Sequence, residues 1–298
     1  MSNSSGKHWG IDIGGSTTIL GYIDNDGFKT VSTLQTIPSE EPEKLLLRIS
    51  RTISSVDDSP LTIGAGIAGL VDRENGVLIN SPNLSKWVRF PLRDRLIKMF
   101  KCPAVIDNDC NTFAIRSIDS GEIPSDGLSL LITLGTGIGG TIIHNGTILY
   151  GKGYAGEFGH MTVNASGEPC PCGARGCWER YAAAEALVRY FKGTGSDSID
   201  TDPRKIAQLA EAGNEDALKA FEKFGKWVGI GLASLSHCFS PSGIFLAGGL
   251  VKTFSLFIEH ARLEFNLRCP YEWNVSALSS CSDAGAEGAA IMGRALSQ

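Results

Sequence analysis

The sequence predicts an α/β protein built as two similar lobes, and three observations carry that prediction. A run of short apolar strand, glycine turn, β-rich hairpin, helices and a strand ending in Gly occurs twice along the chain. Each occurrence contains a tight-turn signal, "NDG" in the first and "HNG" in the second. The 36 glycines of the 298-residue chain also gather in short runs, as they do where backbone must approach something closely.

In the first half, "HWGIDIGG" is a strand ending in glycines, followed by the β-rich "TTILGYID" and "FKTVSTLQT". Asn-Asp-Gly between two such runs predicts a hairpin. "PEKLLLRISRTISSV" has helical periodicity, and "LTIGAGIAG" reads as a buried strand. In the second half, "LSLLITLGTGIGG" leads into the hairpin "TIIHNGTILY"; helical stretches follow around 181–192 and 215–236, then the strand "GIFLAGGL". A duplicated plan of this kind predicts ligand loops at strand ends facing a cleft between lobes. The polar, turn-rich stretch 117–127 marks the boundary, giving a small lobe over 1–118 and a large one over 119–283. The Ala/Gly-rich final helix, within 284–298, is expected to pack back on the first lobe, and residues 1–7 to form a loose tail.

Composition narrows the function. A hydrophobic content of 42% and a charged content of 20% describe an ordinary globular protein. The formal charge is −5 with no basic run, which disfavours nucleic acid as a partner. No signal core or bilayer-length apolar stretch is present, so no membrane partner is expected. Three of the eight cysteines cluster, while Cys102, Cys110, Cys238, Cys269 and Cys281 are scattered. That distribution suits a reducing cytoplasm and one metal site better than a disulfide framework.

Three features carry the chemistry, the first of them a pair of glycine turns. In "DIGGSTT" and "LGTGIGGT", backbone N–H groups uncovered by side chains can surround phosphate oxygens, with hydroxyls from Ser16, Thr17, Thr18 and Thr136 as further donors. Either turn alone is as well explained as a plain hairpin connection, and neither matches a P-loop or a dinucleotide fingerprint. At equivalent places in two half-chains they point to a nucleotide phosphate tail. Asp12, in an apolar strand, is costly to bury unless it faces water, a cation or the phosphates; a water-mediated contact to Mg²⁺ fits it. Asp107-Asn108-Asp109 lies between a strand (103–106) and a helix. One of the three caps the helix, and Asp109 is the candidate base that takes a proton from a substrate hydroxyl in phosphoryl transfer, with Asn108 beside it.

The third feature spans 157–180. His160-x9-Cys170-x-Cys172-x4-Cys177 offers one imidazole and three thiols, a set suited to tetrahedral Zn²⁺, with Gly173 and Gly176 supplying sharp turns. Four protein ligands leave no open position, so the ion is expected to be structural. A nucleic-acid finger is disfavoured, since no second Cys/His pair follows at finger spacing.

"AGEFGHMTV…CPCGARGCWE" resembles the signature of the ROK family of bacterial sugar kinases and repressors, with further similarity to its glucokinases in "RYAAAEALVRY", "DIGGST", "GIAGLVD", "INSPNL", "DNDCN", "LGTGIGGTI" and "LAGGL". The resemblance implies a two-lobed actin-like and hexokinase-like fold, of duplicated ribonuclease H-like type, with an interlobe cleft. It implies that Asp109 is the catalytic base and that Asn83, Asn108, Asp109, Glu157, His160 and Glu179 hold the sugar. It places Asp12, Gly14, Gly15, Ser16, Thr17, Thr18, Gly135, Thr136, Gly137, Gly248 and Gly249 at the nucleotide, and makes His160, Cys170, Cys172 and Cys177 the zinc ligands. The implied activity is transfer from Mg·ATP to the C6 hydroxyl of glucose, by a homodimer. Fructose, N-acetylmannosamine or N-acetylglucosamine as substrate, or a noncatalytic sugar sensor, are the alternatives. A repressor is disfavoured because the few residues before the first strand leave no room for a helix-turn-helix. Ser16, Thr17 and Ala68 depart from the usual pattern, where Thr, Lys or Asn, and Pro are frequent.

Overall fold

In the computed structural model, residues 6–194, 202–279 and 282–297 are described. The first five residues of the expected tail, Cys281 and the last residue of the final helical segment lie outside them. The chain forms two compact units. One comprises Met1–Ile123, Tyr150–Tyr154 and Cys281–Gln298, the other Pro124–Leu149 and Ala155–Ser280. The division thus falls at 123/124 rather than 118/119, and a five-residue segment from the second half of the chain joins the first unit.

The first unit is organised by β1 (His8–Ile13), β2 (Thr17–Asp24), β3 (Gly27–Gln35), β4 (Thr62–Ile67) and β7 (Ala104–Asn108) in the order β3-β2-β1-β4-β7. The hairpin signals act as read: Gly27 takes φ 105° at the first turn, and Asn145 and Gly146 take φ 50° and 70° at the second. β4 and β7 run parallel to β1, so their carboxyl ends fall on one edge, with Ile13 beside Ile67 and Ile67 beside Asn108. Trp9, Ile11 and Ile13 alternate along β1 into a core shared with Leu45, Leu46, Ile49 and Ile53 of α1 (Pro42–Ser54). A short pair, β5 (Leu70–Asp72) and β6 (Val77–Asn80), and α2 (Leu92–Phe100) separate β4 from β7.

On the sheet's other face, α3 (Asp109–Asp119) and α9 (Ala284–Arg294) pack on each other, and α9 packs on β1 and β4. The approach is close because both strands carry glycine there. A Cβ on Gly64 would lie 1.7 Å from the Ala289 carbonyl oxygen, and one on Gly10 1.9 Å from that of Ala286. Gly64→Ala should therefore push α9 off the sheet and cost about 1–3 kcal/mol or more. A denaturant midpoint unchanged from the parent would refute this packing argument.

The second unit repeats the topology. β8 (Leu128–Leu134), β9 (Ile138–His144), β10 (Thr147–Ile148), β11 (Gly243–Ala247) and β12 (Val275–Ala277) pair in the order β10-β9-β8-β11-β12, again with the fourth and fifth strands parallel to the first. Its core lies under α5 (Ala184–Lys192), α6 (Pro203–Glu211), α7 (Glu215–Phe239) and α8 (Phe254–Asn266). Asn214 caps α7 by accepting from the Ala217 N–H at 2.9 Å. Among the described residues no helix is long and apolar enough to cross a membrane.

Candidate active site and metal centre

Glycine turns lie at the carboxyl edge of each sheet. In the first unit, the β1–β2 turn closes with Gly14 N–H donating to the Thr17 carbonyl at 2.9 Å, and leaves Ser16 and Thr17 exposed. Gly15 packs on Asn83, where an added Cβ would meet the Asn83 Cβ at 2.8 Å. Thr18 requires a correction. It is fully buried and its hydroxyl bonds to that of Thr36 at 2.8 Å, so it braces the hairpin and offers no hydroxyl to a phosphate.

Asp12 ends its side chain against the first turn of α9, where a Cβ on Gly285 would lie 2.6 Å from its Oδ2. Burial, and then the nearby Asp109 carboxylate, push its carboxyl up to about 7. Burial also raises Asp109. Two acids that prefer protons in the folded state make the protein bind protons more tightly than the unfolded chain. Stability should therefore decline as pH rises from the ordinary carboxylate value of 3.8 through about 7. Asp12→Asn should flatten that decline and melt above the parent at pH 8 in scanning fluorimetry; a lower melting temperature at pH 8 would overturn the sign.

The three residues at the end of β7 divide their work. Asn108 is the helix cap, its Oδ1 accepting from the Cys110 N–H at 2.8 Å while its Nδ2 donates to the Gly69 carbonyl at 3.0 Å. Asp109 begins α3, with Oδ1 accepting from the Cys110 N–H at 3.0 Å. Asp107 is almost wholly buried. Its Oδ1 accepts from the Asn108 N–H at 2.7 Å and from Asn111 Nδ2 at 2.8 Å; its Oδ2 accepts from Tyr150 Oη at 2.8 Å and faces Arg73 Nε at 3.1 Å. Arg73 also lies over the Tyr150 ring. This network holds 150–154 in the first unit and stiffens the β7–α3 junction that presents Asp109. Arg73, Asn111 and Tyr150 had escaped the sequence reading. The only signal for them was an acid in excess of what one helix cap needs.

In the second unit, Gly135, Thr136 and Gly137 form a tight turn between β8 and β9, closed by Gly135 N–H to the Gly137 carbonyl at 3.0 Å, with Thr136 exposed. Gly248, at φ 94°, passes so close to β8 that a Cβ would meet the Leu134 carbonyl oxygen at 2.5 Å; Gly249 follows in a 3₁₀ turn. The two glycine segments therefore adjoin, at the carboxyl ends of neighbouring parallel strands. Glu179, in the first turn of α4 (Glu179–Ala182), accepts the Ile138 N–H at 2.9 Å through Oε2.

The His/Cys span folds into one cluster in this unit. One donor atom from each of His160, Cys170, Cys172 and Cys177 lies within 4.8 Å of the others. Cys172 Sγ and Cys177 Sγ are 3.6 Å apart, and Cys170 Sγ and His160 Nδ1 3.9 Å. An ion with bonds of about 2.0–2.3 Å needs tetrahedral edges of roughly 3.3–3.8 Å; the Cys172–Cys177 edge already has that length, and the wider edges would have to close by up to about an ångström around a four-coordinate cation. Burial, with Cys170 and Cys172 beside it, pushes the Cys177 thiol up to about 12, so a bound cation would be needed to hold it as a thiolate. Gly173 and Gly176 take φ 92° and 74°, where L side chains are strained, and let the cysteines converge. Trp178 anchors the span: its Nε1 donates to the Trp227 carbonyl at 2.7 Å, and its ring fills the space a Cβ on Gly231 would take. His160 turns its second nitrogen, Nε2, towards Glu157 Oε2 at 4.0 Å. All seven cysteines among the described residues are unbridged. The shallow hollows lined by Arg189, Tyr190, Lys219, Lys223 and Trp227 touch none of these groups.

The chain is similar over nearly its whole length to known proteins. The model of the ROK family matches residues 8–295. The glucokinase of Streptomyces coelicolor is 32% identical over 276 residues, covering 86% of each chain. The xylose repressor of Bacillus subtilis is 28% identical over 281 residues, 90% of this chain and 71% of that one. A crystal structure of a ROK family glucokinase from Streptomyces griseus, in complex with glucose and AMPPNP, superimposes with a TM-score of 0.84 at 30% identity, covering 97% of this chain and all of the other.

Proposed function

The chain belongs to the ROK family, and from that premise we propose that it is an ATP-dependent sugar kinase, a glucokinase that phosphorylates the C6 hydroxyl of glucose. The observation that carries this reading is the joint presence of a carboxylate at a strand's carboxyl end, Asp109, glycine turns at the matching edge of both sheets, and a His/Cys cluster flanked by Glu157 and Glu179. Likeness to a glucokinase holding glucose and an ATP analogue supports it.

In the reaction, Asp109 accepts the proton of the C6 hydroxyl as that oxygen attacks the γ-phosphorus and the bond to the ADP oxygen breaks. Burial raises the proton affinity of Asp109, which makes it a stronger base than an exposed carboxylate. Backbone N–H groups of Gly15, Ser16, Thr136 and Gly137, with Gly248 and Gly249, cradle the phosphates and stabilise charge on the transferring group, while the Gly14 and Gly135 N–H groups close their turns. Mg²⁺, entering with ATP, would neutralise the phosphate oxygens, and Asp12 would be the residue that holds its water shell. Asn83, Asn108, Glu157, His160 and Glu179 pair the remaining sugar hydroxyls, since each one left unpaired costs affinity.

The His/Cys cluster would hold Zn²⁺ in a structural role, because three thiolates and an imidazole favour that ion and four protein ligands would leave it no open position. Bound there, it would hold His160 through Nδ1 and leave Nε2, on the Glu157 side, to the sugar. The chain is proposed to act in the cytoplasm as a homodimer. A coupled ADP-release assay over glucose, fructose, mannose and the N-acetyl amino sugars tests the assignment. Glucose with ATP should give the highest kcat/KM; no turnover with any sugar would overturn the kinase reading.

A further inference from the structure

Glu179 ties together segments that the reaction above gives to different substrates. Its Oε2 accepts the N–H of Ile138, the residue that follows Gly137 in the phosphate turn. The contact is tight, for a Cβ on Gly137 would lie 2.3 Å from that same oxygen. A second bond fastens the turn to the same stretch of chain, Ala184 N–H to the Gly135 carbonyl at 2.9 Å. On its other side Glu179 is two residues from Cys177, with the fully buried Trp178 between them. The carboxylate is thus the end of a short anchored span, with little freedom to reorient without moving the turn.

We propose that Glu179 is a positioning residue for the phosphate turn, so that sugar and nucleotide affinities are coupled through the Glu179–Ile138 hydrogen bond. The inference rests on the sugar-kinase reading. A sugar hydroxyl donating to the Glu179 carboxylate fixes its rotamer, and a fixed rotamer holds the Ile138 N–H and with it the turn in the shape that receives phosphates. By linkage the coupling is reciprocal, so distorting the turn weakens sugar binding even with no nucleotide present.

The test is calorimetric titration of glucose into the nucleotide-free, full-length protein and two variants. Gly137→Ala displaces Oε2 and should weaken glucose binding by about fivefold or more. Gly193→Ala, just past the end of α5 and outside the turn, should leave glucose affinity as in the parent, because a Cβ there comes no nearer than 3.4 Å to another atom. Equal affinities for the parent and Gly137→Ala would overturn the coupling, as would equal losses in both variants. Failure of the parent to bind glucose would instead overturn the sugar-kinase reading. Should circular dichroism show Gly137→Ala unfolded, the ¹⁵N-labelled parent decides. Its Ile138 amide resonance should move on adding glucose alone, and a static resonance would sink the proposal.

Discussion

Asp109→Asn should lower turnover of glucose with ATP by about 10²–10⁴-fold, the usual share of a positioned general base. It should leave the glucose dissociation constant within a few-fold. The expectation follows from the place of the side chain at the start of α3. Its Oδ1 accepts the Cys110 N–H, and an asparagine Oδ1 can accept that same bond. The adjoining cap by Asn108 and the Asp107 network do not involve the lost group. Shape is kept and basicity is removed, so kcat should move while glucose affinity should not. Turnover within tenfold of the parent, measured by ADP release, would remove Asp109 from the role.

Cys172→Ser should release the metal and weaken glucose binding by at least tenfold, the scale set by loss of a positioning shell around a metal ligand. Cys172 is the informative ligand to replace. It is exposed, whereas Cys170 and Cys177 are buried, so the substitution removes a thiolate without leaving a cavity. The backbone N–H of Ala174 already favours its ionised form. Metal content by plasma mass spectrometry should fall well below one ion per chain, and a chelator should reproduce the affinity loss in the parent. Glucose affinity unchanged after metal removal would show that His160 is positioned by something else.

Much of the fold was legible because its signals are local. Asn-Asp-Gly and His-Asn-Gly demand the turns they make, and the buried stripe of α1 is written at helical spacing. The His/Cys cluster was legible for the same reason, since all four ligands lie within eighteen residues and need only two glycine turns to meet. What escaped is long-range pairing. Nothing near Asp107 announces Arg73 or Tyr150, 43 residues further on, because a buried carboxylate recruits whatever donors the tertiary fold brings. Thr18 misled for the converse reason. Its neighbours Ser16 and Thr17 lie in the open turn, but the strand alternation that begins at Thr17 turns Thr18 inward to meet Thr36. Helices α2 and α8 and the β5–β6 pair carried no such marker, whereas α6 went unread although Asp202 caps it and Pro203 opens it.

The placement of α9 has a consequence for biosynthesis. The face of the first sheet that it covers is laid down by the ribosome long before α9 itself emerges. At about 5–20 residues per second, the interval between the end of α3 and the start of α9 is on the order of 10–30 s. Throughout it, the glycine-lined surface of β1 and β4 stays without its cover, and Asp12 without the helix turn against which it rests. The nascent amino-terminal half is therefore the part that a chaperone would be called on to shield.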